Sequence, residues 1–374
     1  MEGSCFPTDR VWASVSGTPE RVEGRRYVVL APHAFTARAA KMAHGVIAYS
    51  SDTVVAVIDP DHAGRRVRDV LPYLRSDAPI VATFEDALRY APTALLVGIA
   101  PAGGRLPEDF RATIRVALRA RLEIVSGLHA MLNDDEEFAA LSREHDTRIW
   151  DLRLPPPAPL FSGAAWDVKA TIVLTVGSDA AVGKMTAALE LVRAARERGV
   201  DAAFVPTGQI GIAIAGWGTA IDRVVADFAP GAAEQLVLEG ERRARELLLL
   251  EGQGGINNPA FAPVTLALMY GGAPDALVLV HNPSRTVIED YDVPILSYRT
   301  LIRTYEALCA TVKPAPVVAI ALNTRDCSDD EARAHLATAR SETGLPCDDV
   351  VRNGPQALYD AIAPVLRKTA VLHA

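Results

Sequence analysis

The sequence lacks the features that zinc centres, disulfide frameworks and membrane spans require. Its four cysteines, among 374 residues, show neither a CxxC nor a Cys/His metal spacing, which argues against a zinc site and against a disulfide framework. No apolar run reaches the roughly 18 residues of a membrane helix, and the N-terminus lacks the basic and apolar regions of a signal peptide. We therefore expect a cytoplasmic protein without a membrane partner.

A basic surface is also missing. Lys and Arg number 38 against 46 Asp and Glu, so the formal net charge is −8 at pH 7. Nucleic-acid binding depends on clustered positive charge, which this chain does not supply. Hydrophobic residues make up 49% of the chain and charged residues 22%, as is typical of a folded protein. We expect small-molecule substrates, no nucleic acid, and a homo-oligomer.

The length of 374 residues exceeds the roughly 250 to 300 at which a single core stops growing, which predicts two domains. Short apolar runs typical of buried parallel strands occur in two series, separated by the proline-rich run Leu154–Pro159. The predicted strands are Tyr27–Leu30, Thr53–Ile58, Ile80–Ala82, Ala94–Val97 and Leu122–Val125, then Thr171–Val176, Ala202–Pro206, Leu247–Leu250, Ala276–Val280 and Val317–Leu322.

The predicted fold class is α/β, with a Rossmann-like parallel sheet followed by a P-loop NTPase-type parallel sheet. The predicted boundaries are an N-terminal extension over 1–26, a Rossmann-like domain over 27–153, a proline-rich linker over 154–168 and a P-loop nucleotide-binding domain over 169–374.

The clearest motif is a glycine loop between the strand Thr171–Val176 and a helix that opens at Lys184. Successive backbone N–H groups of such a loop surround a phosphate, and the helix N-terminus adds favourable partial charge. Compared with GxxxxGK[ST], Ser178 replaces the first glycine and Met185 replaces the hydroxyl residue, so Thr186 is the nearest substitute as a metal ligand. The predicted cofactor-binding residues are Gly177, Ser178, Asp179, Ala180, Ala181, Val182, Gly183, Lys184, Met185, Thr186 and Asn323.

A nucleoside triphosphate also needs acidic groups that hold Mg²⁺ at neighbouring strand ends. Glu251 follows the strand Leu247–Leu250, and Asp227 is a second acidic candidate. We predict Lys184, Glu251 and Asp227 as catalytic residues. The predicted metal ligands are Thr186, Asp227 and Glu251. Gln209 and Gly254, each in a loop after a strand, are predicted to contact substrate.

The first domain carries weaker signals. No GxGxxG follows its first strand, which disfavours NAD. The segment Asp59–Gly64 follows the second strand, where an acidic residue binds a ribose hydroxyl or a substrate amine, or caps a turn. The residues predicted to contact substrate, from loops at strand ends, are Gly103, Gly104, Arg105, Ser126 and His129.

With these residues laid out, the chain resembles a bacterial family of unknown function in which a Rossmann-like domain precedes a P-loop domain. The resemblance rests on seven stretches: 56–64, 97–107, 125–129, 183–186, 226–228, 251–254 and 321–325. Some members of that family are D-glutamate N-acetyltransferases that use acetyl-CoA. The resemblance therefore implies acetyl-CoA as an alternative to ATP as the ligand of the glycine loop. The C-terminal half also resembles dethiobiotin synthetase, which uses ATP with Mg²⁺, over the glycine loop, Asp227 and Glu251–Gly255.

Three functions follow as hypotheses. The leading hypothesis is an ATP- and Mg²⁺-dependent ligase that joins a small carboxylic acid to an amine through an acyl-phosphate, since phosphoryl transfer needs chiefly positioning and charge stabilisation. The alternative is an N-acetyltransferase that holds the phosphates of acetyl-CoA in the same loop. A nucleotide-sensing protein without catalysis is the third.

Overall fold

The computed structural model describes residues 24–37, 39–99, 106–244 and 246–367. These residues form two compact units. Unit 1 contains the residues up to Pro157 together with Ile212–Ala220, and unit 2 contains Ala158–Gly211 together with the residues from Ile221 onward. Each unit has a six-stranded, fully parallel sheet, which confirms the predicted α/β fold class.

The sheet of unit 1 has the strand order β3-β2-β1-β4-β5-β6. Its strands are β1 (Arg26–Leu30), β2 (Thr53–Ile58), β3 (Ile80–Val81), β4 (Ala94–Val97), β5 (Glu123–Ser126) and β6 (Ile149–Asp151). Its helices are α1 (Lys41–Tyr49), α2 (Val67–Val70), α3 (Phe84–Leu88), α4 (Glu108–Arg119) and α5 (Glu136–Glu144).

The core of unit 1 follows from its apolar patterning. All four residues of β4 are buried, as expected for a strand that has a neighbour on each side and is covered on both faces. Helix α4 buries Phe110, Ile114, Ala117 and Leu118, which recur at helical spacing and therefore share one face. That face joins Phe138 of α5 and the strands in one hydrophobic cluster.

The sheet of unit 2 has the strand order β12-β11-β10-β7-β9-β8. Its strands are β7 (Thr171–Gly177), β8 (Ala202–Val205), β9 (Leu247–Leu250), β10 (Ala276–His281), β11 (Val317–Leu322) and β12 (Cys347–Asp348). The helices that follow are α6 (Lys184–Glu197), α7 (Gln209–Ala215), α8 (Ala229–Arg243), α9 (Ala262–Gly271), α10 (Tyr298–Ala310), α11 (Asp329–Thr343) and α12 (Gln356–Ile362). Helix α7 begins in unit 2, and its residues from Ile212 onward belong to unit 1.

Strand β7 lies between β10 on one side and β9 on the other. Chain connections run in opposite directions from this strand, and ligands of open α/β sheets bind outside the carboxyl end of the strand at such a reversal. The four leucines of β9 are fully buried, and each contributes on the order of 2 kcal/mol of hydrophobic stabilisation. The loop after β7 therefore starts from a firmly packed part of the sheet.

Two strands, and the turn within the predicted linker, were not predicted. Strands β6 and β12 have three and two residues and each contains an aspartate, so neither shows an apolar run. Within the predicted linker, Ala164–Asp167 form a 3-10 helix, and Glu234 accepts hydrogen bonds from the backbone of Ser162 and Ala165. In the described part of the chain, no helix combines the length and the apolar character that crossing a membrane requires.

Candidate functional site

The loop between β7 and α6 has the form of a phosphate-binding loop. Gly183, which directly precedes α6, has φ +113°, a backbone conformation that glycine adopts readily. A Cβ at Gly177 would lie 2.8 Å from Lys184 Nζ and 2.9 Å from the carbonyl oxygen of Asp179, so glycine is required there for contact reasons. The two glycines therefore allow the chain to turn closely around the lysine.

Lys184 points back into its own loop. Its Nζ donates hydrogen bonds to the carbonyl oxygens of Asp179, at 2.7 Å, and Gly254, at 2.6 Å. Burial lowers the pKa of this ammonium group to about 8, although the nearby carboxylates of Asp179 and Glu251 act in the opposite direction. A buried cation held by neutral carbonyl groups gains strongly from a phosphate, because the phosphate brings the missing negative charge.

Asp179 holds the loop together. Its Oδ1 accepts from the Ala180 backbone, at 2.7 Å, and from Asn258 Nδ2, at 2.8 Å. Its Oδ2 accepts from the Glu289 backbone, at 2.8 Å, and from Arg285 Nη1, at 3.2 Å. Because the side chain is fully buried and both oxygens are bonded, Asp179 serves the shape of the loop.

Ser178 and His281 form a buried pair beside the loop, on the β10 side. The Ser178 hydroxyl lies 2.7 Å from His281 Nδ1, and the His281 ring packs edge-on against Tyr298. Burial lowers the pKa of His281 to about 4, so the imidazole is neutral at physiological pH. Nearby, the Tyr305 hydroxyl donates to the carbonyl oxygen of Gly177 at 2.6 Å. These contacts fix the position of the chain where β7 ends, at Gly177 and Ser178.

Glu251 lies on the other side of β7, at the end of β9. Its side chain is only 5% exposed, and its Oε2 accepts from the backbone N–H groups of Thr207, at 2.9 Å, and Gly208, at 3.2 Å. Burial raises the pKa of this carboxyl group to about 7, against the opposing effect of those hydrogen bonds and of Lys184. Glu251 thus holds the loop after β8 by hydrogen bonds and is also a charged neighbour of Lys184.

Three further predicted residues lie at this edge of unit 2. Gly254 provides the second carbonyl oxygen for Lys184 and has φ +64°. Asn323, just after β11, donates from Nδ2 to the carbonyl oxygen of Val182 at 3.2 Å, so it contacts the loop itself. Gln209 begins α7, close in the chain to the Glu251 partner Gly208.

The predicted Mg²⁺ ligands do not form one cluster. Asp227 is exposed on a 3-10 helix over Ala226–Phe228, Thr186 is half-buried on α6, and one Glu251 oxygen already accepts two backbone hydrogens. Over the described ranges, no three His, Cys, Asp or Glu side chains are arranged to hold a metal ion. The metal-ligand role of Thr186, Asp227 and Glu251 stays a prediction, and we derive no step through it.

The predicted contact residues of unit 1 divide into three cases. Gly103, Gly104 and Arg105 lie outside the described residues. Ser126, the last residue of β5, is buried, and its hydroxyl accepts from the Leu128 backbone at 3.3 Å. His129 is exposed beyond the end of the same strand. Ser126 therefore has a local partner, and the site role of all five residues stays a prediction.

Sequence reasoning missed three side chains that brace the loop, namely Asn258, Arg285 and Tyr305. Each lies 79 to 128 positions from its partner in the loop, and none belongs to a motif. The fourth, His281, directly follows the predicted strand Ala276–Val280, a position that indicates either a site residue or a local cap, because polar residues at strand ends meet at one edge of a parallel sheet.

The fold and the loop together define a class: an α/β protein with a Rossmann-like unit and a P-loop unit. The chain belongs to the DUF1611 family, a family of domains of unknown function. Its P-loop domain matches residues 159–359 and its Rossmann-like N-terminal domain matches residues 60–155. This result confirms the resemblance to a family with a Rossmann-like domain before a P-loop domain.

Similar proteins cover most of the chain. A protein of Tritonibacter scottomollicae named D-glutamate N-acetyltransferase is 34% identical over 82% of this chain and 91% of its own length. A Pseudoalteromonas protein of the same name is 36% identical over 73% of this chain and 82% of its own length. A crystal structure of a DUF1611 family protein from Anabaena variabilis is 38% identical, with a TM-score of 0.86, over 91% of this chain and all of that one.

Proposed function

We propose that the chain transfers an acetyl group from acetyl-CoA to the amino group of a glutamate-like amino acid, and that the loop Gly177–Thr186 holds phosphate groups of the CoA. The observation that carries this proposal is Lys184, a buried cation that is enclosed by a glycine loop and donates to the carbonyl oxygens of Asp179 and Gly254. The names of the two curated relatives supply the reaction and the class of acceptor.

The donor set around the loop favours CoA over ATP with Mg²⁺. A triphosphate concentrates its charge on three linked groups and is normally held together with a metal ion. Here Met185 occupies the usual hydroxyl position, Asp227 is exposed, and Glu251 Oε2 is engaged by the backbone. CoA offers a diphosphate and a separate 3′-phosphate, which backbone amides and a lysine bind without a metal ion.

The test is an assay of both chemistries on one preparation. With D-glutamate and acetyl-CoA, we expect release of CoA thiol and a product heavier than glutamate by one acetyl group, in the presence of EDTA. L-Glutamate and D-glutamine, supplied separately, test the configuration and the side-chain carboxylate of the acceptor.

Two outcomes would overturn the proposal. ADP and phosphate formed from ATP with an acid and an amine, without thiol release from acetyl-CoA, would favour the amide ligase. Tight nucleotide binding with neither reaction would favour a sensing protein. Mass spectrometry of the ligand that copurifies with the protein gives an independent reading, because CoA and ATP differ in mass.

A further inference from the structure

A second cation, Arg285, lies beside the phosphate-binding loop of unit 2. It comes shortly after β10, and its backbone N–H donates to the carbonyl oxygen of Asn282 at 3.1 Å. Its Nη1 donates to the carbonyl oxygen of Ala180, at 2.9 Å, and to Asp179 Oδ2, at 3.2 Å. The guanidinium is therefore fixed against the same loop that encloses Lys184.

Within the described residues, the contacts of this guanidinium all involve one nitrogen. Nη1 makes both contacts with the loop and also lies 3.3 Å from Glu289 Oε2, whereas Nε and Nη2 donate to no described acceptor. The Arg285 side chain is 23% exposed, so water reaches it. A planar guanidinium binds a phosphate through two N–H groups at once, and Arg285 keeps the edge formed by Nε and Nη2 for such a contact.

The two carboxylates next to Arg285 do not saturate it. Asp179 is buried, and it also accepts from the Ala180 backbone, from Asn258 and from the Glu289 backbone. The Glu289 side chain is 45% exposed, so water screens its charge. Because these other donors hold Asp179, the loop should keep its shape without Arg285.

The two cations are held by adjacent residues of the loop. Lys184 Nζ donates to the carbonyl oxygen of Asp179, and Arg285 Nη1 donates to that of Ala180. Burial is the main cause of the lowered pKa of Lys184, and the charge of Arg285 acts in the same direction, as expected for neighbouring cations. A ligand that brings two negative charges relieves this repulsion.

Backbone donors lie in the same stretch of the loop. The N–H groups of Ala181 and Gly183 make no hydrogen bond to another described residue. Both residues have positive φ, +53° for Ala181 and +113° for Gly183. Turns of this kind direct N–H groups toward one concave site, which suits a phosphate. The loop thus offers one phosphate these amides together with Lys184, and Arg285 lies beside it.

We infer that Arg285 binds the second phosphate of a diphosphate whose first phosphate is held by Lys184 and the loop amides. The inference rests on the proposed function, in which the diphosphate is that of CoA. Cations on adjacent residues match two linked phosphates, whereas the 3′-phosphate of CoA is attached to the ribose. Asp179 orients the guanidinium before the ligand arrives, which reduces the entropy lost on binding. Arg285 is thus the residue by which the loop selects a diphosphate over a monophosphate.

The experiment measures Kd by isothermal titration in the presence of EDTA, with ADP and CoA as diphosphates and AMP as the monophosphate. The affinity for AMP is read from its competition with CoA. For Arg285→Ala we expect the Kd for ADP and for CoA to rise about 10- to 100-fold, because charge-assisted hydrogen bonds to the second phosphate are lost. The Kd for AMP should stay within error of the wild-type value, because AMP has no second phosphate.

Two further variants complete the test. Arg198→Ala is the matched control, since it removes another arginine of unit 2 that pairs with an aspartate, Asp360, at the far end of α6 from the loop. It should leave all three Kd values unchanged. Arg285→Lys keeps a positive charge beside Asp179 but has no planar second edge, so it should lose affinity for ADP and retain affinity for AMP.

The outcomes separate the inference from the proposed function. Equal losses for ADP and AMP in Arg285→Ala would assign Arg285 to bracing Asp179 alone and overturn the inference, and so would unchanged affinities for ADP and CoA. If the alanine variant fails to fold, Arg285→Lys decides by the same comparison. A wild type that binds CoA through Arg285 but releases no thiol from acetyl-CoA refutes the acetyl transfer and leaves the inference standing. A wild type that binds neither ADP nor CoA refutes both.

Discussion

The carboxyl edges of the two sheets use the same place in the fold in different ways. In unit 2 the edge is a glycine loop that encloses one buried side chain, Lys184, with its backbone, and buried side chains such as Asp179 and Tyr305 brace that backbone. In unit 1 the edge carries a side-chain pair, in which Asp59 Oδ2 lies 2.6 Å from His62 Nδ1 and Asp59 Oδ1 accepts from the His33 backbone. Backbone atoms suit a phosphate, which accepts many hydrogen bonds at once, whereas proton transfer needs one titratable side chain in a fixed orientation.

This difference predicts unequal tolerance to change. A site made of backbone depends on the exact path of the chain, so any added atom that moves the loop removes several contacts together. A site made of side chains depends on a few positions and tolerates change elsewhere.

The largest effect is expected from a methyl group at Gly252, behind the lysine. A Cβ there would overlap the carbonyl oxygen of Thr175 in β7 and approach Lys184 Cδ to 3.1 Å. Since the obstacle is strand backbone, we expect Gly252→Ala to lower the free energy of unfolding by about 3 kcal/mol or more, measured by urea denaturation.

Gly98, just after β4 in unit 1, is the matched control. Neither glycine has a positive φ, so the two substitutions differ in contacts alone. The nearest atom to a Cβ at Gly98 is Val29 Cγ1, at 2.5 Å, which belongs to a side chain. We expect Gly98→Ala to cost about 1–2 kcal/mol, and equal losses for the two variants would contradict the proposed contrast.

The second prediction concerns Lys184. Its removal by Lys184→Ala deletes the cation of the loop and leaves the Asp179 and Gly254 carbonyls without their donor. A hydrogen bond to a charged group is worth about 1.5–3 kcal/mol, so we expect the Kd for CoA to rise on the order of 100-fold in isothermal titration. Lys169→Ala, which removes an exposed lysine of the same unit, should leave the Kd unchanged.

The sequence predicts the phosphate loop well because the loop is local. Gly177, Gly183 and Lys184 lie within a short stretch between one strand and one helix, and the identities of these residues determine the backbone path. The ten strands predicted from apolar runs all occur in the structure, with small differences at their ends, because a strand buried on both faces must be continuously apolar.

The side chains that brace the loop cannot be predicted from the sequence, because they lie far from the loop along the chain. Asp179 looks like a ligand-binding acid until Asn258, Arg285 and the Glu289 backbone are found on its oxygens. Asp59 likewise fits the position of a ribose-binding acid, and only the structure shows that it is completely buried and contacts His33 and His62. These pairings depend on tertiary folding, which no local pattern reports.

The third prediction is a pH dependence of phosphate binding. Burial lowers the pKa of Lys184 to about 8 in the free protein, where Asp179, Glu251 and Arg285 are the charged neighbours. Below that pH the lysine is charged and binding is strong. As pH rises above about 8 the free lysine loses its proton, so the Kd for CoA should rise toward tenfold per pH unit.

Lys184→Arg separates this effect from others, because a guanidinium keeps its charge throughout this range. Titrations between pH 7 and pH 10 should give a nearly constant Kd for this variant, even if its affinity at pH 7 is lower than that of the wild type. A parallel rise in Kd for both proteins would assign the titration to another group.

The smallest effect is expected from two buried serines at the carboxyl ends of strands, Ser178 directly after β7 and Ser126 as the last residue of β5. Ser178 is fully buried and lies 2.7 Å from His281, so Ser178→Ala leaves a buried imidazole nitrogen without its partner and should cost about 1–2 kcal/mol of unfolding free energy. Ser126, at the end of β5, is 1% exposed, and within the described ranges its hydroxyl has a single, long contact of 3.3 Å, from the Leu128 backbone, so Ser126→Ala should cost about 0.5 kcal/mol. Both hydroxyls are buried to the same extent. The difference between the two losses of unfolding free energy therefore reports the strength of the hydrogen-bond partner and not the burial. Equal losses, determined by urea denaturation at one pH, would mean that the edge of unit 2 is no more tightly braced by side chains than the edge of unit 1.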